Sequence, residues 1–337
     1  MNYQDREKLK RLKVRLEDGY RLVGLYASLL NNCPELITKE MMDSLMDGAD
    51  FEERDGLVAL LCEAFSLERE NPDDLRLIKE YLTPSVSILD TARYTENPYY
   101  KNVRFDDVSD GEWELKTETY PPYRAFIAGD MEFREDLSEI VKLGFFREEF
   151  SFPAVLENGN EWMTLTPVDV DTCDVAIERA FGKVVTFGLG LGYYAYMVSN
   201  KESVRSITVV EKSEKVISLF KKHVLPKFEH PEKVRIVNED AFVYAREVMP
   251  GENYDYAFVD TWRDASDGAP MYKKMKALES LSKNTRFDYW LEGLIVSRIR
   301  SLRLPYLLER EDDFESYEDF VNEISWESLT DGNAYSV

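Results

Sequence analysis

Four short apolar runs alternate with stretches of helical periodicity: KVVTF at 183–187, RSITVV at 205–210, KVRIV at 233–237 and YDYAFV at 254–259. In the intervening SEKVISLFKKHV, Val216, Ile217, Phe220 and Val224 fall on one face, as a helix lying on a sheet requires. DAFVYAREVM is a second such stretch, stopped by Pro250 and Gly251. Strands separated by a helix's length of chain are not hairpin partners. They pair in parallel, and the helices that connect them cover the sheet. The alternation therefore predicts an α/β core with a parallel sheet.

Each run ends in a residue with chemical potential. In open parallel sheets, ligands bind beyond the carboxyl ends of the strands, where the strand order reverses. The first run leads into TFGLGLG, in which Gly188, Gly190 and Gly192 alternate with Leu189 and Leu191. A backbone without side chains turns tightly and allows close approach. Glu211 ends the second run, about 20 residues after the last glycine, the spacing at which an acid accepts the two hydroxyls of a ribose. Asp240 and Ala241 follow the third run, and Asp260 closes the fourth. Taken singly, each feature has a plain structural reading as a tight turn or a solvated loop acid. In register on successive strands, they predict a nucleoside pocket. GLGYYA, from Gly190 to Ala195, also fits the dinucleotide pattern with alanine as its last member. That alternative explains the turn and Glu211 but gives no role to Asp240 or Asp260.

The chain has 337 residues, so more than one structural unit is expected, and 44% hydrophobic residues suffice for a packed core. A net charge of -23 repels phosphate backbones and anionic lipids, which argues against nucleic-acid and membrane partners; it would draw in a cationic substrate, though simple solubility is the preferred reading. No run approaches the length of a membrane span, and the charged N-terminus lacks the apolar centre of a signal peptide. Cys33, Cys62 and Cys173 are scattered without metal-type spacing and read as reduced thiols of a cytoplasmic protein. His223 and His230 are the only histidines, so imidazole chemistry has little to draw on.

Four regions are expected. Residues 1–95 form a helical accessory region, with Asn71 and Pro72 at one helix start. Residues 96–150 form a mixed connecting segment with short strands. Residues 151–303 form the core, led by a hairpin that turns at Asn158-Gly159; Thr166, Pro167 and Asp169 open the first core helix as cap, first position and reciprocal cap. Residues 304–337 form an acidic helical tail. After Asp260 the pattern departs: Phe287, Trp290, Leu291, Leu294, Ile295, Ile299 and Leu302 fall on a helical stripe, and no fifth strand is recognisable.

From Lys183 to Asp264 this set of features resembles the class I S-adenosylmethionine-dependent methyltransferases, as a bacterial methyltransferase-like branch with a helical N-terminal extension. The resemblance implies a Rossmann-like, doubly wound parallel sheet, here without recognisable last strands, and S-adenosylmethionine as cofactor. It places Gly188, Gly190 and Gly192 against the methionine part, Glu211 on the ribose, Asp240 and Ala241 beside the adenine, and Asp260 at the reaction centre as a candidate base, with Leu189, Tyr193 and Lys212 as further cofactor-binding residues. The chain departs from the family pattern at Thr186, where an acid usually stands, and has no Asn-Pro-Pro-Tyr element after the fourth strand. TVVEKSEKVISLFKKHVLPKF also looks like the corresponding stretch of spermidine synthases. Those enzymes carry an acid within the glycine turn, where Leu191 stands here, which disfavours aminopropyl transfer. A catalytically silent S-adenosylmethionine-binding protein is a further reading.

Several neighbours carry paired expectations. Asp260, Asp264 and Asp267 could hold a divalent cation or form a solvated acidic loop, the second being preferred. Trp262 is either a pocket wall or core. Trp162, Met163 and Thr164 either fold over the ligand or pack on the sheet, and Tyr193 and Tyr194 reach the ligand or fill the helix interface. A sheet that ends early leaves an edge to be covered by the N-terminal region, the hairpin or a second subunit in a homodimer.

Overall fold

A computed structural model describes residues 1–105 and 107–335. Its contacts divide the chain into two units, Met1–Thr95 with Glu118–Phe152, and Glu96–Thr117 with Pro153–Val337. The segment 96–150 is thus no unit of its own; its two parts go to different units.

The first unit is led by the helix Tyr3–Asn32, capped by the Asn2 side chain, which accepts from the Asp5 amide. Helices Lys39–Met46, Glu53–Ala64 and Pro72–Leu77 follow, the last capped by Asn71 with Pro72 at its first turn, as expected. Strand Val86–Leu89 pairs in parallel with Leu143–Phe146, which pairs antiparallel with Phe126–Ile127. The region therefore contains strand pairing contributed by a later stretch of chain, which the local sequence of residues 1–95 does not reveal.

The second unit contains the helix Pro98–Asn102, strand β1 (Val108–Asp110) and the start of β2 (Trp113–Tyr120), antiparallel through Trp113–Leu115. A hairpin follows, β3 (Phe150–Glu157) and β4 (Asn160–Thr164). Asn158 and Gly159 both have positive φ, at 53° and 76°, as the primed two-residue turns require. Helix α1 (Pro167–Arg179) leads into β5 (Gly182–Phe187), and α2 (Tyr193–Ser199) leads away from it. Then come β6 (Val204–Glu211), α3 (Glu214–His223), β7 (Val234–Asn238), α4 (Ala241–Glu247), β8 (Tyr256–Val259), α5 (Ala265–Leu278), β9 (Arg286–Tyr289) and α6 (Glu292–Glu309).

These five strands form one sheet in the order β7-β6-β5-β8-β9, every neighbouring pair parallel. The chain steps outward from β5 to β6 and β7, then crosses to the other side for β8 and β9, so the strand order reverses at β5. The central strands are buried on both faces: Val184, Val185, Phe187, Tyr256, Ala257 and Val259 are fully covered.

The fifth strand corrects the sequence expectation. Arg286–Tyr289 pairs with Tyr256–Val259, and the Trp290 amide donates to the Val259 oxygen at 2.9 Å. Leu291 then takes φ +51° and separates strand from helix. Phe287 and Trp290 therefore lie off the helical stripe, while Ile295, Val296 and Ile299 carry its buried face and Leu302 is exposed. Helix α6 runs past residue 303, so the expected boundary falls inside it; two short helices, Tyr317–Asn322 and Trp326–Thr330, follow. Among the described residues, no helix is long and apolar enough to cross a membrane.

Candidate functional site

Sheet register assembles the site. Phe187 is level with Val210 on one side and Val259 on the other, so the next residues, Gly188, Glu211 and Asp260, emerge side by side. The Gly188 amide donates to the Val210 oxygen at 2.9 Å and the Asp260 amide to the Phe187 oxygen at 2.8 Å, which locks the three strand ends together. Beyond them lies a cavity of about 710 Å³. Its wall includes Gly188, Leu189, Gly190, Glu211, Lys212, Asp240, Ala241 and Asp260, eight of the residues picked out in the sequence.

The glycines have different reasons to be glycines. A side chain on Gly188, at φ +97°, would overlap the Asp260 backbone oxygen, and one on Gly192, at φ +76°, would overlap the Phe220 ring of α3. Both serve the close approach of chain to chain. Gly190, at φ +48°, would place a Cβ 2.9 Å from the Met163 sulfur, the movable end of a side chain on the hairpin. It is the only one of the three whose approach is to a cavity-lining side chain. Gly192 and Tyr193 do not line the large cavity. They border a recess of about 30 Å³ under the turn, and the Tyr193 hydroxyl accepts from the Asn97 side-chain amide at 3.0 Å while its ring meets Tyr99 edge-on. Tyr194 stacks on Phe258 with ring centroids 4.2 Å apart, so both tyrosines are interface residues of α2.

Glu211 is fixed by two backbone donors. Its Oε2 accepts from the Leu189 amide at 3.2 Å and its Oε1 from the Ser213 amide at 2.8 Å. The carboxylate thus ties the glycine turn to the end of β6 and holds one orientation toward the cavity. Asp240 caps α4, its Oδ1 accepting from Phe242 and Val243 amides at 2.9 and 3.1 Å.

The hairpin lines the same cavity through Trp162, Met163 and Thr164, with the Trp162 ring edge-on to Trp113. Trp262 takes both of its expected parts: it lines the cavity, stacks near Tyr289, and donates its Nε1–H to the Trp290 oxygen at 3.2 Å. Asp264 and Asp267 cap α5, and Asp267 also lines the cavity. Asp264 accepts from the Ser266 amide, and Asp267 accepts from the Arg263 and Asp264 amides, a reciprocal cap that opens α5. Among the described residues, no group of three or more histidine, cysteine, aspartate or glutamate side chains is arranged to hold a metal ion.

One residue of the site was read in the sequence only as a cap. Asp169 does accept from the Thr166 amide and hydroxyl, both at 2.7 Å, but it also lines the large cavity and the recess together with Asp260. Burial pushes the Asp260 carboxyl up to about 8, helped by the negative charges of Asp169 and Glu211. Burial likewise pushes Asp169 up to about 6, against the pull of the Thr166 hydrogen bonds. Acidic side chains outnumber basic ones seven to three on the cavity wall.

No family model and no curated protein matches the sequence. Among solved structures, the crystal structure of spermidine synthase from Thermotoga maritima is similar at a TM-score of 0.32 and 14% identity, over 44% of this chain and 57% of that one. The chain thus matches little more than half the length of that protein.

Proposed function

We propose that the cavity binds S-adenosylmethionine and that the protein transfers its methyl group to a small, neutral or cationic acceptor. The observation that carries this reading is Glu211. Its carboxylate stands at the end of β6, level with Gly188, and two backbone amides orient it toward a cavity of about 710 Å³. A fixed carboxylate in this place accepts the two hydroxyls of a ribose. The cavity volume falls within the usual range for small-molecule sites, about 300–1,000 Å³. The backbone of Gly188 to Gly190 supplies the close wall for the amino-acid part, and Ala241, beside Asp240, leaves room for the base.

When bound, the cofactor supplies a methyl group on a positively charged sulfur, already activated for in-line displacement. The chain's part is to align the acceptor, exclude water and receive a proton. Asp260 is the residue to receive it, at the carboxyl oxygen, because β8 carries it to the cavity floor. Trp162 and Met163 on β4 and Trp262 just after β8 wall the cavity.

A second reading is aminopropyl transfer from decarboxylated S-adenosylmethionine. Leu191 is buried and supplies no acid, but Asp169 brings one to the same end of the cavity from α1. Thermal melts with S-adenosylmethionine, its decarboxylated form, S-adenosylhomocysteine and NAD test the adenosyl site, since a ligand raises stability by mass action. Stabilisation by the adenosyl compounds is expected; stabilisation by NAD alone overturns the reading. Product analysis with amine acceptors then separates methyl from aminopropyl transfer.

A further inference from the structure

We propose that the acidic turn between β1 and β2 is a clamp that sets Trp113 as the wall of the cavity at its nucleoside end, with Asp110 and Glu112 as positioning residues and one face of α3 as their anchor. The inference rests on the adenosyl reading and adds the residues that hold its binding surface in place. Asp110 pairs with Trp113 across a two-residue turn, Gly111-Glu112, in which Gly111 takes φ +66° with open space around it. Glycine at the first central position suits the tight two-residue hairpin turns. Four consecutive residues are thus fixed to one another, and whatever holds the two acids also holds the indole. The Trp113 side chain is only 7% exposed, lines the large cavity and meets the Trp162 ring edge-on, with centroids 5.3 Å apart.

Lys222 and His223 lie two helical turns beyond Lys215 on α3, so the three share one face. All three meet the turn. Lys222 Nζ and His223 Nε2 each stand 2.8 Å from the same Asp110 oxygen, and Lys215 donates to the Glu112 carboxylate. Lys222 first, then His223, hold the Asp110 carboxyl below its ordinary value, and Lys215 does the same for Glu112. The Asn158 amide donates to the Glu112 backbone oxygen at 2.8 Å, so the β3–β4 turn is tied in as well. The anchor lies at the ribose end of the cavity. Lys215 follows closely on Ser213, whose amide donates to Glu211, and all three residues line the same wall. Ion pairs this exposed are individually weak and are screened by salt. A clamp built from them holds the wall without locking it, and its grip depends on ionic strength even when the ligand is uncharged.

Dissociation of 5′-methylthioadenosine, an uncharged nucleoside, from the full chain reads the clamp without any charge on the ligand, and stopped-flow tryptophan fluorescence follows it. Asp110→Asn combined with Glu112→Gln removes both charges at nearly unchanged shape. Dissociation then becomes about 3- to 10-fold faster, while association stays within about twofold. Rising salt speeds dissociation from the native chain but not from this double variant. Trp113→Leu raises the rate about 5- to 100-fold and removes its salt dependence. Lys222 does not line the cavity, yet Lys222→Gln raises the rate too, and adds nothing in an Asp110→Asn background. If the variants lower the melting temperature but leave dissociation and its salt dependence unchanged, the turn serves folding alone and the clamp is overturned. If neither 5′-methylthioadenosine nor S-adenosylhomocysteine binds the native chain, the nucleoside reading falls. Acrylamide quenching of the ligand-free protein then decides the clamp. Stronger quenching in the double variant, lost when Trp113→Phe is added, sustains it, and equal quenching overturns it.

Discussion

At the scale of single residues, Gly188 and Gly190 look alike in the sequence and differ in the fold. Gly188 faces a fixed backbone oxygen, whereas Gly190 faces the flexible end of Met163. Gly188→Ala is therefore expected to cost well over 2 kcal/mol, combining left-handed strain with overlap, and Gly190→Ala only about 1 kcal/mol. Urea denaturation measures both; equal costs would contradict the assignment.

Asp260 makes a signed prediction. Its folded-state carboxyl is raised from 3.8 to about 8, so the folded chain holds a proton that the unfolded chain has lost across that window. Stability of the ligand-free protein therefore falls as pH rises from about 4 to about 8. Asp169, raised to about 6, adds to the lower part, and the two titrate as a pair. Asp260→Asn should flatten the profile and raise the melting temperature at pH 8. Parallel pH profiles for the two proteins would contradict it. As the proton acceptor, Asp260 should also give kcat/KM a rising limb near pH 8, with a loss of about 10²- to 10⁴-fold in Asp260→Asn.

At the scale of elements, the four strands β5 to β8 are legible because each is an apolar run bounded by helical periodicity. Their carboxyl ends, and hence Glu211, Asp240 and Asp260, follow from that pattern. The fifth strand is not legible for a physical reason. It has four residues, lies at the sheet edge, and alternates Arg286 and Asp288 with Phe287 and Tyr289, directly before a helix. Its anchoring is side-chain chemistry: Asp288 accepts from the Tyr256 hydroxyl and from Arg179 of α1 at 3.2 Å. Asp288→Ala leaves the buried Tyr256 hydroxyl without its acceptor and should cost about 1–3 kcal/mol in urea denaturation. A change below a few tenths would show that the edge strand is held by its backbone alone. Asp169 escaped for a different reason. An acid at the third position of a helix reads as a cap, and its cap is real. Only the tertiary placement of α1, which packs on α2, brings it to the same cavity wall as Asp260, and no local pattern reports that placement.

At the scale of the whole molecule, the charge of -23 and the acidic cavity act in the same direction. Cationic ligands are drawn in and anionic ones repelled. Raising salt should slow association of decarboxylated S-adenosylmethionine and leave 5′-methylthioadenosine little changed, because screening acts only on the charged ligand. Stopped-flow tryptophan fluorescence can follow this, since Trp162 and Trp262 line the cavity. Identical salt dependence for the two ligands would contradict an electrostatic role for the cavity acids.

The most direct test of the account is calorimetric titration of S-adenosylhomocysteine into the native chain and into Glu211→Ala, each first shown to be folded by circular dichroism. The account predicts one site per chain in the native protein and a loss of about 10- to 100-fold in the variant, as two ribose hydroxyls lose their charged acceptor. Absence of binding to the native chain, or equal binding to both, would contradict it.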